Sequence, residues 1–294
     1  MGYKEAFNHI KDCGALIEID EDLRRKIQKE LLEMYGDILR ACQKYSIVPF
    51  LGGGSALGAI RHKGFIPWDD DLDINMTRED YLIFQSVFEK ELSDKYILNA
   101  PNYSLDAISR FPRIMKRGTK YVEIGATNDE RLQCLAIDVF LIDAIPENGL
   151  YRKIKGCYCN ALEFIAGRVS SFQNRSATST ALLKAAGMKW YLLDRIVGFL
   201  FSYRKYSAWN DKVDRAVLYD GKSRLCGFPT GRKHYFGEIH EREKLFPEVY
   251  VGFENIQAPV FKGYDYYLTM LYGQYMQIPP VEKREKHFVE RVEL

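Results

Sequence analysis

Residues Leu51 to Met76, LGGGSALGAIRHKGFIPWDDDLDINM, put a glycine-rich turn and an Arg-His-Lys run ahead of four aspartates within five positions. Clustered carboxylates repel one another and cost desolvation, so a fold needs a reason to hold them among apolar residues. A divalent cation is the usual reason. A phosphate-cradling turn beside a carboxylate-held metal points to chemistry on a phosphorylated substrate. From Asp71 to Ile74 polar and apolar residues alternate, as in a half-buried strand. Asp71 and Asp73 then share one face, and Leu72 and Ile74 the other.

The pattern around this stretch predicts an α+β fold. Leu23, Ile27, Leu31, Met34, Ile38 and Cys42 recur at spacings of three and four, a helix over 21–45 with Asp20 as its N-cap. Ile47 to Leu51 reads as a buried strand. Gly52-Gly53-Gly54-Ser55 breaks it, and a helix begins at Ala56. A strand, a glycine turn and a helix N-terminus aim free N–H groups at an anion. Thr77 to Glu91 is helical, with Tyr81, Phe84, Phe88 and Leu92 on one stripe. Leu135 to Ile142 is a strong strand with one acid inside it, Asp138, and Asp143 ends it. A lone acid in a buried strand needs a partner, and a shared metal supplies one.

These features give a domain expectation. Residues 1–150 form a catalytic core with an N-terminal helix. Residues 151–240 form a mostly helical insertion or subdomain, with a polar loop over 170–180. Residues 241–294 pack back on the core, with a last helix over 265–275.

The chemistry is expected from Gly54-Ser55, Asp71 with Asp73, and Asp138. Hard oxygen ligands suit Mg²⁺, with Mn²⁺ the alternative. Asp138 could also activate an attacking hydroxyl. Arg61 and His62 follow the turn, and Arg61 has the fork to grip a phosphate. Asp70 stands beside the pair, while Arg113 and Lys116 lie between the two acidic strands as further phosphate contacts. Trp68 is either core or a wall of the site. A calcium loop starting at Asp69 is disfavoured, because its glycine position is Ile74 and its twelfth residue is Asp80.

Charge and composition narrow the partners. A net charge of +2 leaves no broad polycation for nucleic acid. The six cysteines, Cys13, Cys42, Cys134, Cys157, Cys159 and Cys226, include one close pair and no second pair to complete a zinc tetrad. They read as free thiols of a reducing cytoplasm. The N-terminus has no apolar signal core, and Ala6 disfavours myristoylation at Gly2. Leu182 to Tyr203 is the most apolar zone, but Lys184, Lys189, Asp194 and Arg195 interrupt it. It reads as a buried helix, with a helix lying on the inner face of a membrane, through Trp190, Tyr191 and Arg204, as the alternative.

Three segments resemble the LicD family: Gly54 to Ile74, Ile137 to Pro146, and Leu245 to His287. The first is highly specific. The family's usual Gly-Thr is Gly54-Ser55 here, which keeps the hydroxyl. The 151–244 region carries little that matches. The resemblance implies a nucleotidyltransferase-like mixed sheet flanked by helices, with Gly54-Ser55 on phosphate and Asp71, Asp73 and Asp138 on metal. It implies a phosphotransferase that moves phosphocholine, or a similar phospho-alcohol, from a CDP-linked donor such as CDP-choline. The acceptor implied is a sugar hydroxyl of a cell-surface glycan, a teichoic acid or lipopolysaccharide precursor, free or lipid-linked. Aromatics among the 20 tyrosines and other rings would cage the quaternary ammonium. The family includes domains related to fukutin-related protein, some with a zinc site whose four-ligand pattern Cys157 and Cys159 do not reproduce. Two other readings stay open: a nucleotidyltransferase that releases pyrophosphate, and a non-catalytic glycan- or nucleotide-binding protein. Oligomeric state is not readable.

Overall fold

The computed structural model describes residues 16–294 except 125, 176 and 285–287. The readings on Gly2, Ala6, Cys13 and His287 lie outside the described residues. In chain order the elements are β1 (Ile17–Glu18), α1 (Glu21–Lys44), β2 (Phe50–Leu51), α2 (Gly53–His62), β3 (Asp73–Thr77), α3 (Arg78–Glu91), β4 (Tyr96–Asn99), β5 (Arg113–Lys116), β6 (Lys120–Glu123) and β7 (Ala136–Ile145). Then follow α4 (Gly149–Gln173), α5 (Ala177–Ala186), α6 (Met188–Phe201), α7 (Tyr206–Val217), β8 (Leu225–Gly227), α8 (His234–Gly237), β9 (Ile239–Glu241), α9 (Arg242–Leu245), β10 (Glu248–Phe253), β11 (Ile256–Phe261), α10 (Tyr264–Tyr272) and β12 (Phe288–Glu293).

The fold is α+β, a mixed sheet flanked by helices. Its strands run in the order β2-β3-β7-β5-β4, and only β3 and β7 are parallel. The far half of β7 pairs with β8, which pairs with β9. A small sheet β1-β12-β6 and the hairpin β10-β11 complete the strands. Helix α1 follows its expected stripe: Ile27, Leu31, Met34, Ile38 and Cys42 are all buried, and Asp20 accepts from the Leu23 N–H at 2.8 Å. Thr77 caps α3 in the same way, accepting from Asp80 at 3.1 Å.

Several boundaries differ from the sequence reading. The expected strand 47–51 is only Phe50–Leu51. The glycine run is not a separate turn, because helix α2 already starts at Gly53, whose φ of 41° lies in the region a side chain disfavours. Asp143 does not end β7. Its carboxylate is gripped by Arg78 through two hydrogen bonds of 2.8 and 2.9 Å, so the strand runs on to Ile145. The 170–180 loop shrinks, since α4 continues to Gln173 and α5 starts at Ala177. Asp80 sits in the first turn of α3 and Asp73 in a strand, so residues 69–80 do not form a calcium loop.

The last helix ends at Tyr272, where Gly273 turns with φ 67°. Helix α6 departs most. Its sequence favours a buried helix, yet Trp190, Leu192, Ile196, Phe199 and Leu200 are exposed. Among the described residues no helix is long and apolar enough to cross a membrane.

Candidate functional site

Pairing of β3 with β7 builds the centre of the site. The register sets Asp73 opposite Asp138 and Asn75 opposite Phe140. Side chains in register on neighbouring strands share a face, so two strands far apart in sequence bring their acids together. Strand β5 joins from the other side of β7, with Arg113 in register with Asp138. The Arg113 Nε donates to Asp138 at 2.7 Å, and its Nη1 lies 3.4 Å from Glu123. Asp71 precedes the strand and is exposed. Leu72 and Ile74 beside it are buried, so the alternation holds although the strand begins later than expected.

The glycines meet the acids directly. A Cβ on Gly54 would lie 3.0 Å from a carboxylate oxygen of Asp69, and one on Gly53 3.6 Å from an oxygen of Asp73. The Ser55 hydroxyl is buried and accepts the Asp73 N–H at 2.9 Å, so it fastens β3 beneath the helix start. The Gly53 N–H donates to the Tyr267 hydroxyl at 3.1 Å. Helix α2 therefore points its positive end at carboxylates and a phenol.

Electrostatics set the character of this centre. Burial first, then the charges of Asp71, Asp138 and Asp69, push the Asp73 carboxyl well above its ordinary range, and Arg113 pulls the other way. Burial likewise raises Asp138, against the pull of Arg113. Burial alone would lower Arg113, but Asp138 and Glu123 outweigh it and hold the guanidinium charged. A carboxylate cluster of this kind takes up protons or a cation. Its oxygens are the hard donors that Mg²⁺ or Mn²⁺ prefers, and its mutual repulsion is what a divalent ion relieves. The donor chemistry fits such an ion at Asp71 and Asp73. Asp138 is held by Arg113, and among the described residues no three His, Cys, Asp or Glu side chains gather as they stand to hold a metal.

Asp69, Asp71 and Asp73 line a cleft of about 790 Å³; Asp138 and Arg113 lie beside it on the same face of the sheet, outside its lining. Gly53, Gly54, Asp69, Asp71 and Asp73 form its floor, and Trp68 and Arg61 one wall. Trp68 thus walls the site. The Arg284 guanidinium lies over its ring at 4.1 Å, and Arg61 lies at 5.9 Å. Tyr267, Tyr272 and Tyr275 come from α10 and the turn after it, and Arg232 and Lys233 from the segment before α8. Burial, then neighbouring charges, raises the hydroxyls of Tyr267 and Tyr272, and burial pushes Tyr275 up to about 12. All three stay protonated at neutral pH, and the Tyr275 hydroxyl donates to Asp265 at 2.7 Å.

The remaining expected residues divide. Arg61 lines the cleft, but one nitrogen also donates to the carbonyls of Tyr275 and Gln277 at 2.7 and 3.3 Å, tying down the C-terminal segment. His62 accepts from Arg61 Nε at 2.9 Å and meets Trp68 edge-on; burial and then the Arg61 charge lower its pKa. It braces the wall as a neutral ring. Asp70 is buried and accepts from the Tyr121 hydroxyl at 2.8 Å, which anchors the acidic loop to β6. Lys116 is not brought to the cleft. It is three positions from Arg113, so the pleat sends it to the opposite face, where its ammonium meets Glu30 of α1.

Cys157 and Cys159 lie two apart on α4, a spacing that does not face one way. Cys157 is exposed and Cys159 buried, and the described cysteines are free. The sequence reading missed Arg232, Lys233, Tyr267, Tyr272 and Arg284. The tyrosine-dense stretch Tyr264–Tyr275 and the conspicuous Arg284 were the signals available.

Residues 46–128 match the family model described as LicD/FKTN/FKRP, nucleotidyltransferase domain. The match contains the glycines, the acidic loop and Arg113, and stops short of Asp138. The chain is 29% identical over 255 residues to the lipopolysaccharide cholinephosphotransferase LicD of Haemophilus influenzae, covering 85% of this chain and 89% of that one. Shorter stretches resemble uncharacterized proteins of two rickettsiae: 40% identity over 63 residues with Rickettsia typhi, a fifth of each chain, and 27% over 121 residues with Rickettsia prowazekii, 41% and 42% of the two. The resemblance carried by the motifs therefore stands: this chain is similar to the LicD family through one matched domain and, by the Haemophilus relative, over most of its length.

Proposed function

We propose that this protein transfers phosphocholine, or a closely similar phospho-alcohol, from a CDP-linked donor to a sugar hydroxyl of a cell-surface glycan precursor. The observation that carries the reading is one cleft that joins a self-repelling carboxylate cluster to a tryptophan already stacked under a cation. The first suits a diphosphate with its metal. The second suits a quaternary ammonium head group. The similarity to a lipopolysaccharide cholinephosphotransferase supports the same reaction class.

In this reading the diphosphate lies over Gly53 and Gly54, with Arg61, Arg232 and Lys233 offering positive charge. The head group displaces Arg284 from Trp68. Asp71 and Asp73 would hold Mg²⁺, which would supply neutralising charge for the diphosphate. The acceptor oxygen attacks the choline-bearing phosphorus, a new P–O bond forms, and the bond to CMP breaks. Asp138 takes the proton of the acceptor hydroxyl, and Arg113 orients it and carries the balancing charge. Tyr267 and Tyr272 orient the sugar or the nucleotide by donated hydrogen bonds.

Incubation with CDP-choline, CDP-glycerol and CDP-ribitol, with and without chelator, tests the reading. CMP release from one donor, lost with chelator and in Asp138→Asn, is the expected result. Pyrophosphate released from a nucleoside triphosphate, with no CMP from any donor, would assign a nucleotidyltransferase instead.

A further inference from the structure

Helix α6 is built inside out. Its one acid, Asp194, is fully buried. There it meets Arg168 Nη1 of α4 at 3.1 Å and accepts from the Ser171 hydroxyl at 3.0 Å. One turn on, Gly198 lets the two helices touch, since a Cβ there would lie 2.5 Å from Phe172 and 2.9 Å from the Arg168 carbonyl. The polar stripe thus faces inward. Trp190, Leu193, Ile196, Phe199 and Leu200 face outward, and Tyr203 follows them, with Phe199 and Tyr203 each 70% exposed.

Water-facing helices of globular proteins arrange these faces the other way round. Charge adds a second observation. From Phe164 to Lys205 there are seven basic residues and one acid, the buried Asp194. This segment is strongly basic in a chain whose net charge is only +2, so the rest is net negative. Lys184, Lys189, Arg204 and Lys205 stand exposed at the ends of the apolar stretch, Lys205 also reaching Asp106 at 3.2 Å.

We infer that α6, with its flanking lysines and arginines, lies in the headgroup layer of an anionic bilayer. An apolar helix face rimmed by Lys and Arg, with Trp and Tyr among its exposed rings, fits that boundary. A second copy of this chain fits worse, because a two-fold interface would set the same basic rim against itself. The inference does not rest on the proposed reaction and needs neither donor nor acceptor to read. It would place the cleft's acceptor on a membrane-linked molecule.

The test floats the full chain with phosphatidylcholine vesicles containing phosphatidylglycerol, against phosphatidylcholine alone. The protein should rise with the anionic vesicles, less so at high salt. The variant Ile196→Ser/Phe199→Ser/Leu200→Ser should lose about tenfold or more in partition, and Leu105→Ser, exposed elsewhere, should lose nothing. A second variant, Lys189→Glu/Arg204→Glu, leaves the helix packing alone and should abolish the anionic preference. Brominated acyl chains should quench wild type and not Trp190→Phe. No flotation, flotation of both multiple variants equal to that of wild type, or self-association that the serine variant abolishes without vesicle binding would each overturn the inference.

Discussion

At the residue scale the decisive fact is that Asp73 is a carboxylate held where it is uncomfortable. Its burial and its neighbours raise its pKa, so the folded chain without a cation is destabilised as pH rises from the unfolded value of 3.8 through the raised folded one. Asp73→Asn should therefore stabilise the metal-free protein at neutral pH by about 0.5–2 kcal/mol, read by urea unfolding, while transfer falls at least about a hundredfold. Mg²⁺ should raise Tm in wild type and not in the variant. An unchanged Tm in wild type at millimolar Mg²⁺ would remove the proposed metal. Trp68→Ala should raise KM for the choline donor about tenfold, with Trp68→Phe closer to wild type, matching the roughly 0.5–2 kcal/mol of a cation held over a ring. Equal effects on a donor without positive charge would count against the head-group role.

At the element scale, strand β7 serves two sites on two faces. Asp138 and Asp143 are five residues apart, so the pleat turns them opposite ways: one to Arg113 on the cleft's face of the sheet, the other to Arg78. Arg78 also donates to Asp214 of α7 at 2.8 Å, tying the helical region to the sheet. Removing one partner from a buried ionic set strands the others, so Arg78→Met should cost about 3–5 kcal/mol in urea unfolding. A loss under 1 kcal/mol would mean that Asp143 and Asp214 find other partners. The odd spacing was legible in the sequence, as were α1, α3 and the shared face of Asp71 and Asp73. That Asp143 would continue the strand was not, because its partner comes from the start of another helix.

For the whole molecule, His240 couples stability to pH. It is buried among Phe228, Tyr266 and Tyr267, and burial followed by the Lys233 charge pushes its pKa down to about 4. The folded state holds this ring neutral. Its contribution is complete above the unfolded value of 6.5 and is lost as pH falls from there to about 4. The span corresponds to about 3 kcal/mol. Unfolding free energy followed from pH 7.5 to 4 should fall more steeply in wild type than in His240→Phe. Parallel slopes would show that other groups carry the acid sensitivity.

The sequence by itself determined the acidic loop, the glycine start, the distant strand acid and the main helices, because each rests on local spacing and side-chain chemistry. Register was beyond it. Only the tertiary structure decided that Asp73 stands opposite Asp138, that Arg113 turns to Asp138 and Lys116 away to Glu30, and that Ser55 clamps a strand. The same holds for Trp68 beneath Arg284 and for the tyrosines of α10 over the glycines. It also turned α6 inside out, since apolar periodicity says that a helix has two faces and not which of them the rest of the chain will cover. That choice was made by Arg168 and Ser171, which gave the one acid of the helix a buried partner and left its apolar face outward.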